Sequence, residues 1–515
     1  MESDSAILSQ LGQIEWDNGD ARNERVRFRV PADRVERCHL NKLVRIVTSG
    51  TPERHFVGKI VAGPYFPTPT ANGQGSAIGE IQVEGEIEGD NLLGTMRRPR
   101  PGSPIFDLSF AEVGQMLRCT GDLLLGSLSH APSVLFSLRS KSKEVLPRNV
   151  GIFGTVGSGK TNTTQVLIEE AAAAGWASVV IDVEGEYTRM DAPVNLPGAA
   201  NQLARYCRTP KGLSNFRVYY PITCVSDRSD AELFCLRLAD FSVDVIAEIL
   251  ETSAAERSAL RECIEHFYMM NKVALRTTEK EELAGLLEGG PETKPAFTLF
   301  TLIQRARDKA PRSTEDIDYL GVLNKLTRLQ NAGIMDHTQV KAIHPELLVQ
   351  SGKVSVFDVS VADEFMKSLV IADLLRKVFA YKIINDDTVP TLIIIEEAHT
   401  FINRQDRSSM QATLHMLRTV ARRGRKRWLG LVFVSQQPGH LPPEIFELCN
   451  TRIVHNVRSL HNLEALIATA SDVGQETWTR CPLLRPGEAV ISSPQLDRAC
   501  EIMIRPAASF RKFTQ

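Results

Sequence analysis

No stretch of the sequence reaches the roughly 18 uninterrupted apolar residues that a membrane-crossing helix requires, so none is expected. The first residues, MESDSAILSQ, lack the basic and apolar regions of a secretory signal, which points to a cytoplasmic protein. Cysteine is sparse: nine residues (Cys38, Cys119, Cys207, Cys224, Cys235, Cys263, Cys449, Cys481 and Cys500), none in a C-x-x-C pair. That scatter excludes a cysteine-rich zinc site and suits inert, reduced thiols. Charge of one sign is also missing. Lys+Arg is 60 and Asp+Glu is 62, a net charge of -2, so any nucleic-acid footprint must be local. Self-similarity at a solenoid period is absent too. What is there is ordinary globular material: 515 residues, 43% hydrophobic and 24% charged, enough for about two to four domains.

The texture of the chain changes once. Over residues 1–145 short alternating runs recur at Arg25 to Val30, Lys42 to Val47, His55 to Val61 and Ala77 to Ile87, with Gly/Pro-rich stretches between them. Such punctuation predicts a small β-barrel or sandwich. From about Arg148, apolar runs end in small or acidic residues and are followed by helical patterns: Val150 to Phe153, Ser178 to Val183, Val354 to Asp358, Leu392 to Ile395 and Leu429 to Val434. Runs apolar on both faces predict a parallel sheet covered by helices, hence an α/β domain. Between lies a mostly helical stretch, including a helix capped by Ser242 and the stripe Leu320, Val322, Leu323, Leu326, Leu329. The expected organisation is a barrel domain over 1–145, an α/β core over 146–229 and 351–495, a helical insertion over 230–350 and a tail over 496–515.

The strongest chemical signal is Gly154-Thr155-Val156-Gly157-Ser158-Gly159-Lys160-Thr161, a full G-x-x-x-x-G-K-[ST] pattern between an apolar strand and a helix that begins at Asn162. Glycines let backbone N–H groups wrap a phosphate chain, and the helix N-terminus adds partial positive charge. Lys160 would reach the β- and γ-phosphates, and Thr161 would offer its hydroxyl to Mg²⁺. Gly154, Val156, Gly157, Ser158, Gly159 and Asn162 complete the expected nucleotide-binding set.

A second signal is Leu392-Ile393-Ile394-Ile395-Glu396-Glu397, a buried strand whose carboxyl end carries two acids, where ligands of open α/β sheets bind. Glu396 would hold magnesium and Glu397 would polarise the attacking water. Asp182, ending another strand, either helps organise magnesium or caps a turn. Asp358 reads as a turn cap. Gln436 or Gln437, after Ser435, either senses the γ-phosphate or satisfies turn backbone. Six basic residues in ten, from Arg418 to Arg427, read as an arginine finger, a phosphate-backbone contact or a solvated helix face.

Together GTVGSGKT, IDVEGEY, LIIIEEAHTF and ARRGRKRWLGLVFVSQQPGHLPPEIFELCNTRIVHNV resemble the HerA family, of the FtsK–HerA branch of RecA-fold ATPases. The resemblance covers about residues 120–500. It implies a RecA-like P-loop NTPase core with an N-terminal β-barrel, a homo-hexameric ring, ATP and Mg²⁺ as cofactors, and translocation of double-stranded DNA. On the residues that match, it implies that Lys160 and Thr161 bind nucleotide and that Glu396 and Glu397 form the acidic pair. Gln436 is the glutamine after the sensor serine. Arg422 matches the arginine acting in trans, and Arg148 a second interface arginine. This sequence departs from the family at Asn149, where histidine is usual, at Arg423, where glutamate is frequent, and at Val156, where threonine is common; the register of the finger within 422–427 is therefore open.

The first expectation is a motor subunit serving a separate effector chain, a NurA-like or other nuclease or a sirtuin-like NADase, since no such motif occurs in the chain. The alternative is a nucleotide-controlled ring scaffold that assembles an effector in antiphage defence. A conjugative-transfer ATPase is a third reading, disfavoured because such relatives associate with membranes.

Overall fold

The computed structural model describes residues 10–15, 25–40, 42–67, 75–89, 91–94, 97–270, 296–310, 317–385, 389–400, 411–470 and 473–512. Two compact units emerge: Met1–Gly121 with Gly126–Ser137 and Gln495–Met503, and Asp122–Leu125 with Leu138–Pro494 and Ile504–Gln515. Among the described residues no helix is long and apolar enough to cross a membrane.

In the first unit, strict alternation does the folding. β2 (Arg25–Pro31) buries Val26, Phe28 and Val30 and exposes the arginines between them. With β1 (Gln10–Ile14), β3 (Leu43–Thr48), β4 (Arg54–Tyr65), β5 (Ser76–Glu88), β6 (Asn91–Leu93) and β7 (Pro104–Asp107), the order is β2-β1-β7-β3-β4-β5-β6. β5 also pairs antiparallel with β2, from Arg25 opposite Gln82 to Pro31 opposite Ser76. That pairing closes a six-strand barrel around Phe28, Ile46, Phe56, Ile60 and Ile81. β8 (Leu123–Leu128) and β9 (Ala131–Leu138) follow.

The second unit is a parallel sheet. Its strands are β10 (Val150–Phe153), β11 (Ala177–Asp182), β12 (Phe216–Pro221), β13 (Glu232–Phe234), β14 (Val354–Asp358), β15 (Thr391–Ile395), β16 (Leu429–Ser435), β17 (Thr451–Val454) and β18 (Glu488–Ser492). They lie in the order β13-β12-β14-β11-β15-β16-β10-β17-β18. β10, β11 and β14 to β16 are buried throughout, as their unbroken apolar runs require. β17 and β18 pair antiparallel. Phe153 is level with Ser435 and with Val454, and Ile395 with Ile181 and Phe433. The residues that follow β10, β11, β15, β16 and β17 therefore emerge side by side on one edge. This is a RecA-like P-loop core, and the helices described between β13 and β14 (Val243–Ile249, Ala254–Met270, Leu299–Lys309, Ile317–Asn331) make it the expected α/β architecture. In the last of these Val322, Leu326 and Leu329 are buried, whereas Leu320 is exposed.

Two buried ion clusters tie this unit together. Lys377, on the helix Glu364–Ile384, meets Asp373 at 2.9 Å and Asp240 at 3.1 Å. Arg505 donates to Glu169 at 2.9 Å, to Glu170 at 2.8 Å and to the Leu124 carbonyl at 3.1 Å, all on or beside the helix Lys160–Ala173. Removing one member of such a cluster leaves uncompensated buried charge. Arg505→Met is expected to lower unfolding free energy by about 3–5 kcal/mol, measured by urea denaturation.

Candidate functional site

The P-loop leaves β10 at its carboxyl end. Gly154 N donates to the Ser435 carbonyl at 3.4 Å, and the Thr155 N–H and hydroxyl both donate to the Asn456 carbonyl, at 2.8 and 3.0 Å. Gly157 and Gly159 have φ of +74° and +115°, which side chains rarely adopt. A Cβ on Gly159 would lie 3.1 Å from the Gly487 nitrogen, whereas one on Gly157 would meet nothing within 4 Å. The loop is thus braced behind and open in front, a concave backbone cradle. Val156 stands at its rim, 80% exposed. Thr161 is half-buried in the first helical turn. Ser158 is buried, and its hydroxyl has no hydrogen-bond partner among the described residues.

Lys160 opens the helix and turns back, its Nζ donating to the Thr155 carbonyl at 3.2 Å. Burial pulls its pKa down, against the pull of Glu397, Glu396 and Glu186. Those acids arrive from β11 and β15. Glu396 is buried; Tyr187 Oη donates to its Oε1 at 2.9 Å, and its Oε2 has no hydrogen-bond donor among the described residues. Burial first, then the charges of Asp182 and Glu186, push its pKa well above the usual carboxylate range. Asp182 is pushed up to about 7, again mainly by burial. It accepts from the backbone N–H of Gly185 at 2.7 Å and of Tyr187 at 2.9 Å. Asp182 therefore caps the turn that places Tyr187 under Glu396. Two buried carboxyls this close require a shared proton or a cation between them.

Glu397 differs. Its φ of +44° is left-handed and strained, and it swings the carboxylate toward the end of β16. There Gln436 donates from its backbone N at 3.2 Å and its Nε2 at 2.6 Å, and His399 Nδ1 lies 3.1 Å away. Burial alone would raise its pKa, but the His399 hydrogen bond, the Lys160 charge and Gln436 hold it below the usual range. It is the ionised member of the acid pair. Gln437 instead donates its backbone N–H to Ser435 Oγ, and Asp358 accepts from Ser360, a local turn.

The expected arginines do not join this cluster within one chain. Arg148 precedes β10, at the opposite sheet edge from the P-loop, 3.7 Å from Glu144. Arg422 is exposed at the end of the helix Gln411–Arg423. Asn149 ties that helix end to the start of β10: its Nδ2 donates to the Ala421 and Leu448 carbonyls, and its Oδ1 accepts from Leu431 N. The backbone next to Arg422 is thus held at the start of β10, whereas the P-loop leaves its carboxyl end. Arg423 lies over the Phe379 ring, 5.5 Å from its centroid, and Arg425 faces Glu144. Asn162 uses its side chain on the C-terminal segment, donating to the Arg505 carbonyl and accepting from Ala507 N.

One residue the motif reading passed over is His455, after β17. Its Nδ1 lies 2.9 Å from the Glu488 carbonyl, which can only accept, so Nδ1 carries the proton and Nε2 accepts from the Thr163 hydroxyl at 2.8 Å. It packs directly behind the loop, with its Cβ 2.7 Å from where a Gly154 Cβ would be. Nothing in the sequence marks it but its place in the stretch RIVHNV; its partners are brought up only by the fold.

Burial drops the pKa of His455 to about 4, below its unfolded value. The unfolded chain therefore takes up this proton first as pH falls. The stability involved is complete above about pH 6.5 and is lost toward about pH 4. Between about pH 7 and about pH 5 this one group should cost roughly 2 kcal/mol. Urea denaturation at both values should show His455→Gln losing less over that interval than the wild-type chain.

The profile of the central domain of helicase HerA matches residues 123–378. A probable helicase of Methanocaldococcus jannaschii is 23% identical over 411 residues, covering 75% of this chain and 71% of that protein. The DNA double-strand break repair helicase HerA of Saccharolobus solfataricus is 24% identical over 402 residues, covering 76% and 71%. Among solved structures, VirB4 of Thermoanaerobacter pseudethanolicus aligns with a TM-score of 0.52 at 18% identity, covering 75% of this chain and 97% of that one. With the P-loop, the acid pair and the strand order above, these similarities make the chain HerA-like: a P-loop NTPase fold similar to the HerA helicases.

Proposed function

We propose that the chain is the ATP-hydrolysing subunit of a homo-hexameric ring that moves along double-stranded DNA and serves a separate effector chain, a nuclease or an NADase. The observation that carries the ring is a division of labour. Lys160, Glu396, Glu397 and Gln436 converge on the P-loop, while exposed Arg422 sits at the other sheet edge. A guanidinium so placed meets a triphosphate only when a second copy supplies it, as a heterologous interface does in a closed ring. The relatives that bear the name helicase support DNA as the track.

The cradle fits a nucleotide: an open concavity at Gly157, a buried lysine at its floor and unpartnered acceptor capacity on Glu396 Oε2. Thr161 and Glu396, with Asp182 behind, would hold magnesium, which when bound supplies charge neutralisation between the β- and γ-phosphates. Lys160 exchanges the Thr155 carbonyl for phosphate oxygen. Glu397, ionised, takes the proton of the attacking water through a hydrogen bond now spent on Gln436. Gln436 thereby links the γ-phosphate side of the site to β16. Arg422 stabilises charge on the transferring phosphoryl group from the next protomer.

Lys160→Ala should abolish nucleotide binding and turnover. Glu397→Gln should retain ATP binding while phosphate release falls by about a hundredfold or more. Arg422→Ala should bind ATP yet lose about a thousandfold in turnover. Mixing the last two variants restores part of the rate if Arg422 acts between protomers; no restoration contradicts that assignment. DNA-stimulated phosphate release supports the motor, and turnover that responds to a partner but ignores DNA supports the scaffold.

A further inference from the structure

The helix that follows the P-loop carries Asn162, Gln165 and Glu169, spaced three and four apart and so on one face. All three bind the main chain of the C-terminal segment. Asn162 Nδ2 donates to the Arg505 carbonyl at 2.8 Å and Oδ1 accepts from Ala507 N at 2.9 Å. Gln165 Nε2 donates to the Phe510 carbonyl at 3.4 Å. Glu169 Oε1 accepts from the N–H of Ala508 and Ser509 and from the Ser509 hydroxyl, at 2.7–2.8 Å. Arg505 anchors the start through Glu169 and Glu170. Further on, Phe510 N donates to the Ala192 carbonyl and Lys512 N to the Glu186 carbonyl.

This track delivers one side chain to the nucleotide site. Arg511 forms an ion pair with Glu186, in the turn that Asp182 caps and that holds Tyr187 against Glu396. Glu186 and Arg511 both act electrostatically on Lys160. Glu186 thus pairs with Arg511 and lies within electrostatic range of the Lys160 ammonium. A triphosphate entering the cradle brings several negative charges beside a carboxylate that already holds a guanidinium. The planar fork of arginine matches phosphate oxygens as well as carboxylate oxygens.

We propose that Arg511 is a phosphate-contacting residue supplied in cis, which exchanges Glu186 for the terminal phosphoryl group of a bound nucleoside triphosphate. Residues 505–512 then register the third phosphate and carry that signal along the face of the P-loop helix. The inference rests on the NTPase reading and adds to it a second guanidinium, distinct from Arg422 because it comes from the same chain.

The test is titration of the full chain, with magnesium, by ADP and by a slowly hydrolysed ATP analogue. Arg511→Ala should leave ADP affinity within about twofold and weaken the triphosphate about tenfold, the worth of one charge-assisted hydrogen bond. Arg511→Lys should recover part of that loss, and Glu186→Gln, which frees the guanidinium, should keep or sharpen triphosphate preference. Hydrogen exchange over 505–512 should respond to the triphosphate and not to ADP in the wild-type chain, and to neither in Arg511→Ala. An unchanged ratio of triphosphate to ADP affinity in Arg511→Ala, or equal losses in Arg511→Ala and Glu186→Gln, overturns the proposal and leaves Arg511 a tether. A wild-type chain that binds neither nucleotide overturns the NTPase reading itself.

Discussion

Parallel pairing decides where each strand stops. Because Phe153 is level with both Ser435 and Val454, and Ile395 with Ile181, five chain segments leave the sheet on one line. The loop that leads to Lys160, the turn of Asp182, Glu396 with Glu397, Gln436 and His455 lie at those stops. A one-residue slip in any of these pairings would turn that strand's side chains to the other face and break the cluster. The electrostatics follow from the same geometry, since acids emerging from neighbouring strands cannot avoid one another.

The site stores cost in a directed way. Asp182 and Glu396 are both pushed up mainly by burial, the charge of Asp182 adding to the rise of Glu396, and Glu397 sits in a strained backbone conformation. Such costs persist only where the surroundings over-determine them. Here the fixed groups are the Tyr187 hydroxyl, the His455 brace behind the P-loop and the Asn149 amide that pins the Arg422 helix to β10. In the proposed mechanism the movable groups are Lys160 and Gln436, each hydrogen-bonded to a partner it would exchange when phosphate arrives. A rigid frame with a few exchangeable bonds is what a two-state interface needs.

How much of this the sequence carried depends on the range of each interaction. Strands β10, β14, β15 and β16 were legible because burial on both faces demands unbroken apolar runs, and the P-loop because wrapping backbone around phosphate demands glycine at fixed places. β2 and β5 showed in their alternation. β1, β6 and β7 were missed: three to five residues show no period. Asp182 could be read as a cap or as a site acid; the structure shows the capping bonds and, beside them, the buried acid next to Glu396. His455 and Arg511 were out of reach, since their partners Thr163 and Glu186 lie hundreds of positions away. Asn149 looked like a mere departure, yet its amide makes three buried or half-buried hydrogen bonds that no local pattern announces.

Most directly decisive is a structure with a non-hydrolysable triphosphate and magnesium. The account predicts phosphates cradled by residues 154–161, Lys160 Nζ moved from the Thr155 carbonyl to phosphate oxygen, and a guanidinium from an adjacent copy facing the terminal phosphate. Nucleotide bound elsewhere, or held in that loop with Lys160 still on Thr155 and every arginine in reach belonging to the same chain, would contradict it.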